Sequence, residues 1–268
     1  MLRKILIALL GGGAFCLVGI CLQKAYNRFY PSYSQAQSVN FCLRRGAFTV
    51  FEFVPHMKRP RALIIFGSGD SGWGYWEETV SEDLCSHGYE VVGIDSADYA
   101  GTDYNLATLQ ADFAQIAEKA LAPYGDNPPP LLEGGWSMGA AQAIAIAGGP
   151  NPPRNLKGLI LASALSRGRY GLRDEDKANI LPTGPGTFAV KDFAPSFDRL
   201  RVAQWHGAED TIDSCAWLND LHAEHREYDL PDAGHTYNEC CETFRAQFVE
   251  SVSWVLGPTT EELHAGDD

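Results

Sequence analysis

The chain has 268 residues, 45% of them hydrophobic and 21% charged, enough for one large core and too apolar for a disordered or fibrous protein. Thirty-four acids against 21 bases give a net charge of −13. The first 28 residues hold four bases (Arg3, Lys4, Lys24 and Arg28) and no acid, which leaves −17 on residues 29–268 and argues against nucleic acid as a partner.

At the N-terminus two bases precede an almost uncharged apolar run over residues 5–22. Residues 1–28 therefore read as a targeting segment outside the fold, either a signal anchor or a cleaved signal peptide. The run would reach about 27 Å as a helix, marginal for a span. No small residues are well placed for cleavage at its end, which favours an anchor that holds the chain to a membrane. The positive charge at Arg3 and Lys4 keeps that end in the cytoplasm and sends the body across.

From residue 48 onward, β-branched and apolar runs alternate with longer amphipathic or alanine-rich stretches, the pattern of a mostly parallel sheet with helices on both faces. Strands are expected at 48–54, 62–66, 90–94, 131–134, 158–162, 202–205 and 226–230, and helices at 76–85, 108–121, 138–148, 214–222 and 241–256. Several of the strands are continuous apolar runs, as strands buried on both faces are. Residues 166–200 show no period and are rich in glycine and proline, so they are expected to pass over the top of the sheet as a short lid or a plain loop. One domain over 40–258 and an acidic, frayed tail over 259–268 complete the expected organisation.

The chemistry begins at Gly135-Trp136-Ser137-Met138-Gly139. An apolar strand leads into this string and an alanine-rich helix leads out, the setting of a nucleophile elbow, in which a sharp turn lifts the serine oxygen out of the sheet. A serine hydroxyl needs a base, and the base needs an acid to orient it. In this fold the acid and then the base follow the nucleophile along the chain. Gly207-Ala208-Glu209-Asp210 and Gly234-His235 each end an apolar strand and supply them. His235 is the expected base and Asp210 the expected acid, with Asp213 and Glu209 as alternatives. His206, at the end of a strand, reads as a packed histidine. The oxyanion should meet the Met138 N–H and a second backbone donor from the glycine-rich loop Gly67-Ser68-Gly69-Asp70-Ser71-Gly72-Trp73. Cysteines 42, 85, 215, 240 and 241 form no CxxC pair, and neither a metal nor a cofactor pattern is present.

Ser68-Gly69-Asp70-Ser71-Gly72-Trp73, Val91-Val92-Gly93-Ile94-Asp95-Ser96 ahead of Tyr99, the elbow, and the Gly-His turn at His235 together resemble the VirJ/AcvB family of bacterial envelope virulence proteins, within the α/β-hydrolase superfamily. The resemblance implies a periplasmic serine hydrolase, in the AcvB branch one that removes the aminoacyl group from lysyl-phosphatidylglycerol. It carries over Ser137 as nucleophile, His235 as base and the Asp70 N–H as second oxyanion donor. General esterase or thioesterase activity on small acyl compounds, and a non-catalytic envelope adaptor, are the alternatives. Asp70 and the acids between Asp95 and Asp103 are candidates for meeting a cationic headgroup. Because acid and base loops must lie side by side, Cys215 and either Cys240 or Cys241 are expected near each other, as a disulfide or as buried free thiols.

Overall fold

The computed structural model describes residues 37–43, 46–237 and 241–257. The expected targeting segment 1–28, the tail 259–268 and Cys240 lie outside the described residues. None of the described helices is long and apolar enough to cross a membrane.

Runs such as Leu-Ile-Ile-Phe and Leu-Leu carry apolar side chains on both faces and must be covered on both, which places them at the centre of a sheet. The strands are β1 (Gln37–Leu43), β2 (Gly46–Phe53), β3 (Leu63–Gly67), β4 (Glu90–Ile94), β5 (Leu131–Trp136), β6 (Leu156–Ala162), β7 (Arg167–Arg169), β8 (Thr187–Ala189), β9 (Arg201–Gly207) and β10 (Glu224–Leu230). Eight of them form one sheet in the order β1-β2-β4-β3-β5-β6-β9-β10, while β7 and β8 pair separately. Only β1 and β2 run antiparallel to their neighbours in the large sheet. β3, β4 and β5 are buried throughout.

Alternate residues of these strands feed two apolar layers. Ile65, Val92, Leu131 and Leu159 face one layer with Leu109, Phe113 and Ile144, which come from α3 (Leu106–Leu121) and α4 (Met138–Gly148). Ile64, Phe66, Leu132 and Ile160 face the other with Leu84, Phe244, Phe248 and Val252, from α1 (Tyr75–Ser86) and α5 (Cys241–Leu256). α4 is buried on every side from Gly139 to Gly148. Its alanines let the sheet approach on one side and residues 166–200 on the other, since Gly148 abuts Phe193 and Gly168 abuts Ala141.

The expected strands and four of the five expected helices are present, with ends shifted by a few residues. The expected helix at 214–222 is instead a 3₁₀ turn at Cys215–Asp220. Cys215, Leu218 and Leu221 are all buried at a spacing of three, the period at which a 3₁₀ helix stacks side chains on one face. β1 begins at Gln37, ahead of the expected boundary at residue 40, and α2 (Ser96–Ala100) was not anticipated. Residues 166–200 contain the β7–β8 hairpin and short 3₁₀ turns, so the excursion is a small cap.

Candidate active site

Parallel strands bring the ends of β3, β5, β6 and β9 to one edge of the sheet, where open α/β sheets bind ligands. Ser137 follows β5 directly. Its backbone sits at φ 49° and ψ −104°, a sparsely populated conformation for a residue with a Cβ. The strain is held by the Ser137 N–H donating to the Ala162 carbonyl at 2.8 Å and by the Gly139 N–H donating to the Ser68 carbonyl at 3.0 Å. Glycine is required around the turn: a Cβ on Gly139 would lie 2.4 Å from the Gly67 carbonyl, and one on Gly135 would lie 2.6 Å from it.

His235 Nε2 lies 2.9 Å from Ser137 Oγ, and His235 Nδ1 lies 2.7 Å from Asp210 Oδ2. The other Asp210 oxygen accepts the Ile212 N–H at 2.9 Å. The Asp210 side chain is only 1% exposed. Burial would raise its carboxyl, but the His235 and Ile212 hydrogen bonds outweigh it and hold the group below the usual aspartate value. The two loops touch closely, since a Cβ on Gly207 would lie 2.3 Å from the Gly234 carbonyl.

The alternative acids are turned elsewhere. Asp213 accepts N–H bonds from Ser166 and Ser214 and so ties the start of the cap to the acid loop, and Glu209 is exposed. The expected Cys215 disulfide is corrected: Cys215 carries a free, buried thiol, and burial chiefly pushes its pKa up. The 3₁₀ turn directs this side chain into the apolar layer of Trp217 and Leu218.

The candidate for the second oxyanion donor is Asp70. In the loop after β3, the Ser68 N–H donates to Ile94, Gly72 to Gly69, Trp73 to Asp95 Oδ2 and Gly74 to Glu77 Oε2. Of the N–H groups of residues 68–74, those of Gly69, Asp70 and Ser71 have no such partner. Asp70 lines the cleft with Ser137 and Met138, whereas Gly69 and Ser71 do not. The Met138 N–H is the first of α4 and has no intrahelical acceptor.

The cleft is walled by Ala141, Leu165, Leu172, Ile180 and Pro182. Its shape depends on Arg169, whose buried guanidinium forms a bidentate pair with Asp176 and donates to the Thr183 and Pro185 carbonyls. Of the acids expected to face a cationic headgroup, only Asp70 lines this cleft. Asp95 turns inward onto Trp73 and Asp98, and Asp103 pairs with Arg173. Among the described residues no cluster of His, Cys, Asp or Glu could hold a metal ion.

Several positioning groups were not legible in the sequence. Ser163 Oγ lies 3.0 Å from the His235 carbonyl and 2.8 Å from Tyr237 Oη, which itself donates to the Trp205 carbonyl at 2.7 Å. Tyr237 stacks on Trp136 at 5.6 Å, fastening the base loop to the nucleophile strand. Ser163, Tyr237 and Glu77 belong to no recognisable string. Only the positive φ of Ser163 and Tyr237 marks two of them, and that is a property of the folded backbone.

The sheet order and the serine on a strained turn between strand and helix, with a histidine and an aspartate on following loops, are those of an α/β-hydrolase fold. Residues 61–165, which include β3, the elbow and β6, match the family model described as "Bacterial virulence protein (VirJ)". Solved structures share the fold at low identity. The esterase domain of a Rhodothermus marinus protein matches at 17% identity and TM-score 0.61, over 82% of this chain and 98% of that one. Est1E from Butyrivibrio proteoclasticus matches at 18% and 0.61, over 84% and 100%. Dienelactone hydrolase from Anabaena variabilis matches at 15% and 0.59, over 81% and 97%. A search of curated proteins returned no match.

Proposed function

We propose that the protein is a serine hydrolase that cleaves a carboxylic ester through an acyl-enzyme. The observation that carries this reading is the unbroken relay from Asp210 through His235 to Ser137, at 2.7 and 2.9 Å, on an elbow whose strain the fold sustains. Ser137 Oγ attacks the ester carbonyl while its proton passes to His235 Nε2. Asp210 holds Nδ1–H and stabilises the imidazolium that forms. The N–H groups of Met138 and Asp70 receive the oxyanion. His235 then protonates the leaving alcohol, and water, deprotonated by the same imidazole, releases the acid.

The finer reading is an aminoacyl ester, that of lysyl-phosphatidylglycerol, cleaved at the periplasmic membrane surface. Three features support it: the VirJ match, an acidic body beside an apolar N-terminal run, and the Asp70 carboxylate, which lines the cleft and meets only Ser71 Oγ at 3.3 Å. A cation two bonds from the reacting carbonyl would find a counter-charge there. The test is to compare hydrolysis of lysyl-phosphatidylglycerol in vesicles with that of short neutral p-nitrophenyl esters. A preference for the lipid that Asp70→Asn removes is expected. Equal rates on both would leave a general esterase. Failure of a fluorophosphonate to label Ser137 would overturn ester hydrolysis itself.

A further inference from the structure

Directly after β6, Ser163 holds a left-handed backbone at φ 47°, a conformation that costs a residue with a Cβ and that glycine takes without strain. The residue is 1% exposed and stands outside the cleft wall. Neither solvent nor a bound ester therefore accounts for a serine here. What distinguishes it from glycine is its hydroxyl, and that hydroxyl bonds the base loop.

Two consecutive residues at the end of β6 hold both partners of the proton transfer. The Ala162 carbonyl accepts the Ser137 N–H at 2.8 Å. One residue on, Ser163 Oγ donates to the His235 carbonyl at 3.0 Å. The Ser163 N–H donates to the Trp205 carbonyl at 2.9 Å, and Tyr237 Oη donates to the same carbonyl at 2.7 Å, with Ser163 Oγ 2.8 Å from Tyr237 Oη. Carbonyl oxygens only accept, so the Ser163 proton serves His235 and the Tyr237 proton serves Trp205. Backbone bonds hold the base loop as far as Ala233, whose N–H donates to the Leu230 carbonyl at 3.3 Å and whose carbonyl takes the Glu209 N–H at 2.9 Å. Gly234 comes next, where a Cβ would meet nothing within 4 Å, so packing does not restrict that joint. The Ser163 bond fastens the chain beyond the joint, at His235 itself. Asp210 orients the imidazole through Nδ1, whereas the bond to the His235 carbonyl fixes the backbone from which the ring extends.

We propose that Ser163 is a positioning residue of the proton relay: it touches no substrate, and with Ala162 it makes the end of β6 the common support that sets His235 against Ser137. This rests on the ester-hydrolase reading and goes beyond it by giving a strained residue outside the triad a part in proton transfer. A misplacement of about 1 Å in such a geometry costs up to about 10²-fold. Losing the hydroxyl in Ser163→Ala or Ser163→Gly should lower kcat and the fluorophosphonate labelling rate of Ser137 by about 10- to 100-fold, with KM within about twofold of the native value. The two variants differ in backbone strain, which alanine keeps and glycine relieves, so glycine should melt higher than alanine while both are slowed alike. Ser163→Thr keeps the hydroxyl at a greater backbone cost, and should melt lower than native protein while labelling within about threefold of it.

The experiment measures kcat, KM, labelling rate and thermal unfolding in native protein and the three variants. Rates that follow the hydroxyl while melting temperatures follow the strain support the assignment. A native labelling rate in folded Ser163→Ala or Ser163→Gly overturns it. So does a set of rates that rises and falls with melting temperature, since that is the mark of a residue that only holds the fold. The alanine and glycine pair decides the matter even where the threonine variant does not fold. Failure of native protein to label would instead refute the ester-hydrolase reading, so the two failures are distinct.

Discussion

Replacing Asp210 by asparagine tests the relay at its least ambiguous point. The Asp210 carboxylate accepts from His235 Nδ1 at 2.7 Å on one oxygen and from the Ile212 N–H at 2.9 Å on the other. An asparagine must keep its carbonyl toward Ile212, which turns its NH₂ group toward Nδ1. The imidazole is then forced to accept at Nδ1 and carry its proton on Nε2, the tautomer that cannot take the proton of Ser137. A loss of about 10⁴-fold in kcat is expected, about 5.5 kcal/mol of transition-state stabilisation. Asp213→Asn should cost less than about tenfold, because its bonds go to the Ser166 and Ser214 N–H groups and never to the base. Hydrolysis of a p-nitrophenyl ester by folded variants reads both. A loss of less than tenfold in Asp210→Asn, or a larger one in Asp213→Asn, refutes the assignment of the acid. The same variant carries a stability signature. The folded Asp210 value lies below its unfolded value of about 3.9, so its contribution is complete above that pH and is lost as pH falls through the lower, folded value. Native protein and Asp210→Asn should therefore differ most in melting temperature near neutrality and converge in strong acid.

Other consequences follow from the same geometry. Ser137→Gly should lose at least about 10⁴-fold in turnover and yet melt higher by about 2–4 °C in a scanning calorimeter, because glycine relieves a strained φ of 49°; an unchanged or lower melting temperature would show that the elbow stores no strain. Gly139→Ala should fail to give soluble, labelled protein, since its Cβ would lie 2.4 Å from the Gly67 carbonyl; normal labelling would contradict the close approach of β3 and α4. Glu133 is buried on β5 with neither carboxyl oxygen bonded, and burial raises its pKa. In an unfolded chain it ionises near pH 4.3, so folding is penalised as pH rises past that value. Glu133→Gln should then raise the melting temperature at pH 8 more than at pH 4, and an equal gain at both would refute the penalty.

Much of the fold can be read directly because parallel strands must be apolar on both faces, and Leu63 to Phe66, Val91 to Ile94 and Leu131 to Leu132 are. The nucleophile, base and acid are equally local signals, each a glycine turn at the end of such a run. Residues 166–200 resist the same reasoning because the paired strands β7 and β8 are three residues each, too short to establish a period. Cys215 shows a different failure: the adjacency of its loop to the base loop says where the backbone goes, whereas the spacing of Cys215, Leu218 and Leu221 decides where the thiol points.

The two strings that carry the family resemblance look like separate signatures 20-odd residues apart, yet in the folded chain they form one device. β3 and β4 are parallel neighbours with Gly67 beside Ile94, so the turns that follow them must share one space. Gly93 has no Cβ because the Trp73 ring lies where one would stand, at 2.1 Å. Asp95 takes the Trp73 N–H at 3.1 Å, and Ser68 Oγ takes the Ser96 N–H at 3.0 Å. The glycine-rich loop thus has its tryptophan seated on the second string and its serine bonded to it. A change at Gly93 or Asp95, remote from the serine in sequence, should act on catalysis through that loop, while the apolar strands beneath it hold the fold.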